Sequence, residues 1–223
     1  MRDYDDDDRY DFDDDDDDRD DYDDHDDDFD DDDDYNNVKI SNAGKKIKIL
    51  RGYRDNEFEA EDFGRVLVTI DGSAVTHNLE IEGNWLANAI IGGSGRNWID
   101  GGRGNDTLTG GKGNDVFIYS KNSGNGNDTL RGGKGNDSLW GGDDDNVFVY
   151  AKSDGKDIIF GFEDDDMLKI TGAFSASYNR SKGEISFKVG DTSNAITLKN
   201  FDTSTFNVNG NIYRISGSKL VKK

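Results

Sequence analysis

The sequence predicts an all-β fold whose centre is a β-solenoid, with β caps at both ends and a disordered N-terminal tail. Three observations lead to this prediction. A nine-residue unit of the form G-G-x-G-x-D-x-U-x repeats between residues 92 and 149, as in GGRGNDTLT, GGKGNDVFI and GGKGNDSLW. Alternating apolar and polar residues, typical of half-buried strands, flank this array on both sides. No segment shows the apolar period of an amphipathic helix.

Acidic residues are concentrated at the N-terminus. The chain carries a net charge of −22, and most of it comes from residues 1–34, where 24 Asp face three Arg. Like charges this dense oppose collapse, so we expect residues 1–36 to form a disordered Asp-rich tail; the functional alternative is a weak contact with cations or a mineral surface. Given this acidity and the absence of an 18-residue apolar run, we expect neither a nucleic-acid partner nor a membrane span.

The rest of the chain divides into three segments. Residues 37–82 are expected to form an N-terminal β cap with degenerate repeats, because short alternating stretches such as Lys46–Ile49 are separated by turn signals such as Asp71-Gly72. Residues 83–149 form the nonapeptide β-solenoid. Residues 150–223 return to alternation, and we expect them to close the array and form a C-terminal β cap over its last strand, which would otherwise stay unpaired.

One apolar residue falls at the eighth position of every unit. The series runs at nine-residue spacing, broken once by a four-residue insertion at Tyr119 to Asn122, through Ile81, Ile90, Ile99, Leu108, Phe117, Leu130, Leu139 and Phe148. A strand of about three residues would point this side chain inward and its neighbours outward. Trp98 and Trp140 adjoin the eighth position, so we predict them on the outer surface, either packed on the sheets or caps or exposed to a cell-surface or glycan partner.

Burial of one apolar side chain cannot fold a nine-residue unit. Ordering each residue costs about 1 to 2 kcal/mol, whereas one buried Leu or Ile returns only roughly 1.5 to 3 kcal/mol. Repeated Asp side chains add repulsion until a cation neutralises them. The available carboxylate and carbonyl oxygens suit Ca²⁺ better than Zn²⁺ or Mg²⁺, so calcium binding and folding are expected to be one event. We expect glycines at the first, second and fourth positions to supply backbone angles closed to other residues.

Residues 83–168, and most clearly GGRGNDTLT, GGKGNDVFI and GGKGNDSLW, resemble the RTX (haemolysin-type calcium-binding) repeats of bacterial proteins exported by type I secretion. The resemblance implies a parallel β-roll in which alternate units form opposite sheets, with several Ca²⁺ ions bound between loops on the same edge. It also implies a secreted, extracellular bacterial protein that has the type I secretion machinery as a partner. In such proteins the C-terminal segment carries the export signal.

Carried over residue by residue, the resemblance implies that sixth-position side chains and loop glycines hold the ions. These residues, with Asp157 of the closing segment, are Asp106, Asp115, Asp128, Asp137, Asn88, Asn97, Asn146, Gly102, Gly104, Gly111, Gly113, Gly133 and Gly135. If the insertion leaves the alternation intact, Asp106 pairs with Asp128, and Asp115 with Asp137. Pairs that contain Asn88 or Asn97 lose a charge and should bind calcium more weakly. Asp144 replaces a fourth-position glycine, which argues against a standard loop there.

The sequence contains no H-E-x-x-H, G-x-S-x-G, phosphate-binding or EF-hand motif, and it has only two histidines. We therefore expect no enzymatic activity of the chain itself. Two functions stay open. The first is a secreted, calcium-folded binding or structural module, and the second is the C-terminal export and folding module of a larger RTX enzyme, toxin or adhesin.

Overall fold

The computed structural model describes residues 38–41, 46–49, 57–60, 68–118, 126–190, 195–201 and 203–223, with the backbone alone at 38–41 and 195. The tail predicted at residues 1–36 and the insertion predicted at residues 119–122 lie outside the described residues. The predicted disorder of the tail therefore stays a prediction, and the effect of the insertion is judged from the strands on either side of it.

The regular elements of the described residues are twenty β-strands, which confirms the predicted all-β fold. Five precede or enter the repeats: β1 Val38–Ser41, β2 Lys46–Ile49, β3 Glu57–Glu59, β4 Thr69–Asp71 and β5 Glu80–Asn84. Seven follow in the repeats: β6 Ala89–Ile91, β7 Trp98–Gly102, β8 Thr107–Lys112, β9 Val116–Phe117, β10 Thr129–Lys134, β11 Ser138–Trp140 and β12 Val147–Ala151. Eight complete the chain: β13 Lys156–Phe160, β14 Met167–Thr171, β15 Phe174–Asn179, β16 Glu184–Val189, β17 Ala195–Lys199, β18 Thr205–Val208, β19 Asn211–Ser216 and β20 Lys219–Lys222. No helix that could span a membrane occurs in this described part.

From β2 to β14 the strands alternate between two parallel stacks. One stack runs β2, β4, β6, β8, β10, β12 and β14, and the other runs β3, β5, β7, β9, β11 and β13. Each strand pairs with the second strand after it, which is the arrangement of a β-roll. The pairings β8 with β10 and β9 with β11 join strands on either side of the insertion, so the insertion leaves the alternation intact.

The core lies between the two stacks and is made mainly by the eighth-position side chains. Neighbouring turns set these residues in register, for example Leu108 opposite Leu130 and Phe117 opposite Leu139. All eight residues of the predicted series, from Ile81 to Phe148, are at most 4% exposed. This burial confirms the inward column that the nine-residue spacing predicts.

The two ends of the roll differ in topology. At the N-terminal end β2 and β3 continue the stacks in parallel register, and β1 pairs antiparallel with β2. At the C-terminal end β17 and β18 extend the stacks, while β20 pairs antiparallel with both β15 and β19 and so links the two stacks. The same parallel pairing runs across residues 82 and 149, so the domain boundaries placed there stay a prediction.

Candidate metal centres

The sixth-position side chains form two columns, one on each edge of the roll. Within a column, the backbone N–H of each residue donates to the side-chain Oδ1 of the next, over 2.7 to 3.2 Å. The first column consists of Asn88, Asp106, Asp128, Asn146 and Asp166. The second column consists of Asn97, Asp115, Asp137 and Asp157. The predicted neighbours, Asp106 with Asp128 and Asp115 with Asp137, are therefore adjacent.

Three of these carboxylates keep one oxygen that the protein does not satisfy. In Asp106, Asp115 and Asp137 the Oδ1 atom accepts a backbone N–H, whereas Oδ2 is buried and has no hydrogen-bond partner. Each of the three residues is at most 2% exposed. Buried polar atoms are nearly always hydrogen-bonded, so three unpartnered carboxyl oxygens inside loops have the chemistry of cation ligands.

The first glycine of each loop makes room for this oxygen. A Cβ added to Gly110 would lie 2.3 Å from Oδ2 of Asp115 and 2.6 Å from the carbonyl oxygen of Gly132. At Gly132 the corresponding distance to Oδ2 of Asp137 is 2.1 Å. Neither glycine has a positive φ. The prediction that first-position glycines supply unusual backbone angles was therefore wrong. They are needed because the carboxylate of their own unit, and at Gly110 also the carbonyl oxygen of Gly132, fills the space of a side chain.

The second and fourth glycines follow the predicted reason more closely. Five of the six predicted glycines have positive φ, namely Gly102 (78°), Gly104 (106°), Gly111 (111°), Gly133 (100°) and Gly135 (136°). Gly113 does not, but a Cβ on it would lie 1.9 Å from the carbonyl oxygen of Gly95 in the neighbouring loop. Close stacking of loops, rather than the backbone angle, requires glycine at that position.

Burial gives these carboxyl groups unusual proton affinity. Burial raises the pKa of Asp106 to about 8, and the charges of Asp128 and Asp100 add to the shift. Burial likewise raises the pKa of Asp137 to about 7, with Asp115 and Asp154 contributing. The same cause raises the pKa of Asp115 and Asp128 to about 6, of Asp157 to about 8 and of Asp166 to about 7. The ionised loops are therefore electrostatically costly unless a cation compensates them.

Calcium fits this donor set. The described residues contain no group of three or more His, Asp or Glu side chains that could hold a metal ion. Each site therefore offers two carboxylates at most, and further ligands would have to be backbone carbonyls such as that of Gly132. Ca²⁺ accepts six to eight oxygen ligands in flexible geometry, whereas Zn²⁺ prefers nitrogen and sulfur.

Sequence reasoning missed two buried carboxylates near the end of the array. Asp154 is 2% exposed, forms an ion pair with Arg131 at 3.4 Å and accepts the N–H of Ala151 at 2.8 Å. Asp166 is fully buried, and its two oxygens accept the N–H groups of Asn146 at 2.8 Å and Glu163 at 2.9 Å. Counting six residues from Gly161 would have found Asp166.

The irregular fourth position at Asp144 keeps the shape of a glycine loop. Asp144 has a φ of 77°, in the left-handed region that favours glycine. Its Oδ2 accepts the N–H of Gly126 at 3.0 Å, which ties this loop to the preceding loop on the same edge. The substitution therefore costs backbone strain without removing the turn.

The two predicted surface tryptophans lie on the outer face of the second stack. Trp140 is 38% exposed and stacks on Phe160, with ring centroids 4.2 Å apart and an interplanar angle of 4°. The guanidinium of Arg96 lies 4.5 Å from the ring centroid of Trp98. Packing along the sheet, one of the two predicted arrangements, thus covers one face of the Trp140 indole.

Residues 82–117 and 122–151 match the family model of the RTX calcium-binding nonapeptide repeat. The central array consists of RTX repeats. The match includes the loops of Asp106, Asp115, Asp128 and Asp137, so these four carboxylates lie in calcium-binding repeats. Asp157 and Asp166 lie beyond the matched residues and continue the two columns of the RTX array in structure alone.

Other comparisons add little to the RTX assignment. One similar solved structure is the extracellular lipase LipA from Serratia marcescens, with 16% sequence identity and a TM-score of 0.28. The alignment covers 70% of this chain, and the chain spans 40% of the length of that lipase. A TM-score this low says nothing about function. The comparison with curated proteins finds no match.

Proposed function

We propose that the chain is a calcium-folded binding or structural module of a secreted bacterial protein, in which the RTX array becomes stable only when its loops bind Ca²⁺. The observation that carries the proposal is the buried, unpartnered Oδ2 of Asp106, Asp115 and Asp137. An ionised carboxylate in this position has lost its hydration and gained no partner, which disfavours the folded state until a cation is supplied.

In three places two Asp residues are adjacent in one column, joined by a hydrogen bond from the backbone N–H of the first to Oδ1 of the second. They are Asp106 with Asp128, Asp115 with Asp137, and Asp137 with Asp157. These residues, with loop carbonyls, would hold the ions, and the bound ions would supply the positive charge that the loops lack. Because each ion would link two turns of the roll, binding at one loop should favour ordering of the next.

We further propose that the described module does not catalyse a reaction. Within the described residues, every carboxyl group whose pKa is raised belongs to the two loop columns. Perturbed carboxyls gathered in a cleft are typical of catalytic sites, whereas here they follow the repeat along both edges. A partner on the cell surface, bound through Trp98 or Trp140, stays a prediction.

The family of the repeats supports the same function. RTX repeats are typical of bacterial proteins exported by type I secretion, so we propose the type I machinery as a partner and the extracellular space as the site of action. Free calcium near 10⁻⁴ to 10⁻³ M, on the order of the affinity of extracellular calcium sites, would then fold the array after export. The alternative, an export and folding module of a larger RTX enzyme, toxin or adhesin, uses the same loops and predicts the same calcium response.

Circular dichroism of the full chain against calcium concentration tests the proposal. In chelator at pH 8 we expect a weaker β signal and a lower thermal midpoint than with calcium, with cooperative recovery as Ca²⁺ is added and no equal recovery with Mg²⁺ at the same concentration. A matched control replaces the exposed Asp143 by Asn, which removes a loop charge outside the two columns and should leave the midpoint unchanged. A chain that has full β signal in chelator and the same thermal midpoint with and without calcium would contradict the proposal.

A further inference from the structure

We infer that the loops of Asn97 and Asn146 close without calcium. Each side-chain amide donates hydrogen bonds to loop carbonyl oxygens, and in the Asp loops oxygens of this kind would bind the ion. The inference rests on the proposed calcium function and concerns where along the roll the ions bind. The two loops are then not weak calcium sites, as the sequence predicts, but loops that bind no calcium.

The Asn146 amide is satisfied within its own loop and the column. Its Nδ2 lies 3.4 Å from the carbonyl oxygen of Gly142, 3.2 Å from that of Asp143 and 2.9 Å from that of Asp144. Its Oδ1 accepts the backbone N–H of Asp128 at 3.0 Å. The side chain is fully buried. The NH₂ group therefore contacts three carbonyl oxygens of its own loop, and the one side-chain oxygen already accepts a backbone N–H.

The Asn97 amide nitrogen donates in a similar way on the opposite edge, although the amide oxygen is not satisfied. Its Nδ2 donates to the carbonyl oxygens of Gly95 and Gly110, both at 3.1 Å, and to Oδ1 of Asp115 at 2.9 Å. Its Oδ1 is buried without a partner, as Oδ2 of Asp115 is, but an amide oxygen is neutral and its burial therefore costs less than that of an ionised carboxylate. The reversed amide would place Oδ1 against the two carbonyls and Asp115, and only a cation would stabilise that arrangement. The donating orientation needs no ion.

The loop of Asp115, one turn further along this edge, shows the contrast. There the sixth-position side chain has no donor, and its Oδ2 shares the space beside Gly110 with the carbonyl oxygen of Gly132. Oxygens thus face oxygens in the Asp loop, whereas an N–H faces oxygens in the Asn loop. A neutral, hydrogen-bonded amide is far cheaper to bury than an ionised carboxylate, so the Asn loops are stable where the Asp loops need a cation.

The placement of the two asparagines gives this difference a consequence for folding. Asn97 precedes the Asp residues of the second column, and Asn146 follows Asp106 and Asp128 in the first column. Each edge therefore has a loop that closes without calcium next to the loops that require it. Such loops provide ordered turns on which the neighbouring calcium-binding turns assemble.

Substitutions that exchange amide and carboxylate at the sixth position test the inference in the full chain. Asn97→Asp turns residues 92–100 into the consensus unit GGSGRDWID, and we expect one additional bound Ca²⁺ and a lower thermal midpoint in chelator. Asp115→Asn should have the opposite effects, with one ion fewer and a higher midpoint in chelator than Asp115→Ala. The control is Asn78→Asp, which adds a carboxylate at an exposed residue whose Oδ1 accepts the N–H of Arg96 at 2.9 Å, beside the same loop. It should add no ion.

Ions are counted by equilibrium dialysis, in which residues 1–37 contribute equally to every variant. The inference is overturned if Asn97→Asp binds no additional ion, or if Asn97→Ala binds one ion fewer than the wild type.

Failure of the proposed function is a separate result: the wild type would then bind no more calcium than a variant in which Asp106, Asp115 and Asp137 are all replaced by Ala. Hydrogen exchange at residues 92–97 in chelator gives a second readout, and protection there in the wild type that is lost in Asn97→Asp supports the inference.

Discussion

The backbone N–H of Asp115 donates to Oδ1 of Asp137 over 2.8 Å, while Oδ2 of Asp137 is buried without a hydrogen-bond partner. Asp137 in turn donates its own N–H to Oδ1 of Asp157 over 3.2 Å. Asp137 thus contacts the preceding loop through Oδ1 and the following loop through its backbone N–H, and its Oδ2 lies beside Gly132 of its own unit. Asp137 is the only residue of the described columns with a carboxylate on both sides, because Asp115 follows Asn97 and Asp128 precedes Asn146.

The Asp137→Ala variant should therefore bind fewer calcium ions than the Asp128→Ala variant. We expect the loss of two bound ions from the first variant and one from the second, with a correspondingly larger increase in the calcium concentration needed for half-maximal folding. Calorimetric titration of each variant measures the ion count, and circular dichroism measures the folding midpoint. Equal losses would contradict the assignment of Asp137 to two sites.

Gly110→Ala should block calcium at Asp115 by steric exclusion. The added methyl would lie 2.3 Å from Oδ2 of Asp115, so the carboxylate and the loop cannot both keep their positions. We expect the loss of at least one ion and a large increase in the folding midpoint for calcium.

The matched control for Gly110 is Gly161→Ala. Gly161 has a φ of 66° and no atom within 4 Å of an added Cβ. Its replacement should cost about 1 to 2 kcal/mol of backbone strain and leave the ion count unchanged. If the two variants bind the same amount of calcium, the first glycine is not required by the site.

The sequence predicts the register of the roll better than the chemistry of its loops. The nine-residue spacing of Ile99 and Phe117 identifies the core, because one buried side chain per turn is a periodic demand. The pairing of Asp137 with Asp157 does not follow from the nine-residue repeat. The two residues are 20 positions apart, whereas two regular units place Asn97 and Asp115 18 positions apart. A glycine in the sequence likewise indicates that no side chain is tolerated, but not whether the backbone angle or the lack of space is the reason. An asparagine in the sequence does not show whether its amide group donates or accepts hydrogen bonds.

Trp140→Ala should destabilise the roll without changing its calcium content. Trp140 lies in register with Phe160 on the neighbouring strand, and the rings stack at 4.2 Å. Such pairs contribute about 0.5 to 1.5 kcal/mol beyond the area they bury, so we expect a lower midpoint in guanidinium chloride at saturating calcium. Trp140→Phe keeps an aromatic ring against Phe160 and should retain most of the stability. A change in the ion count of either variant would contradict a purely structural role.

Acid should partly replace calcium in folding the array. The pKa of Asp106 and Asp157 is raised to about 8 and that of Asp137 to about 7, from an ordinary value of 3.8. The metal-free folded chain therefore binds protons more tightly than the unfolded chain. The stability linked to these groups is fully present below the unfolded pKa of 3.8, and it is lost as the pH rises through about 6 to 8.

In chelator, we therefore expect more β signal at pH 5 than at pH 8, the reverse of ordinary acid denaturation. With saturating calcium the dependence should invert, because the ion binds the ionised carboxylates and releases their protons. Circular dichroism at both pH values, with and without calcium, measures both effects. Triple replacement of Asp106, Asp137 and Asp157 by Asn removes three of the four carboxyl groups with the highest pKa values and should reduce the pH response in chelator. A wild-type chain whose chelator signal rises with pH would show that protonation of these carboxyls does not stabilise the roll.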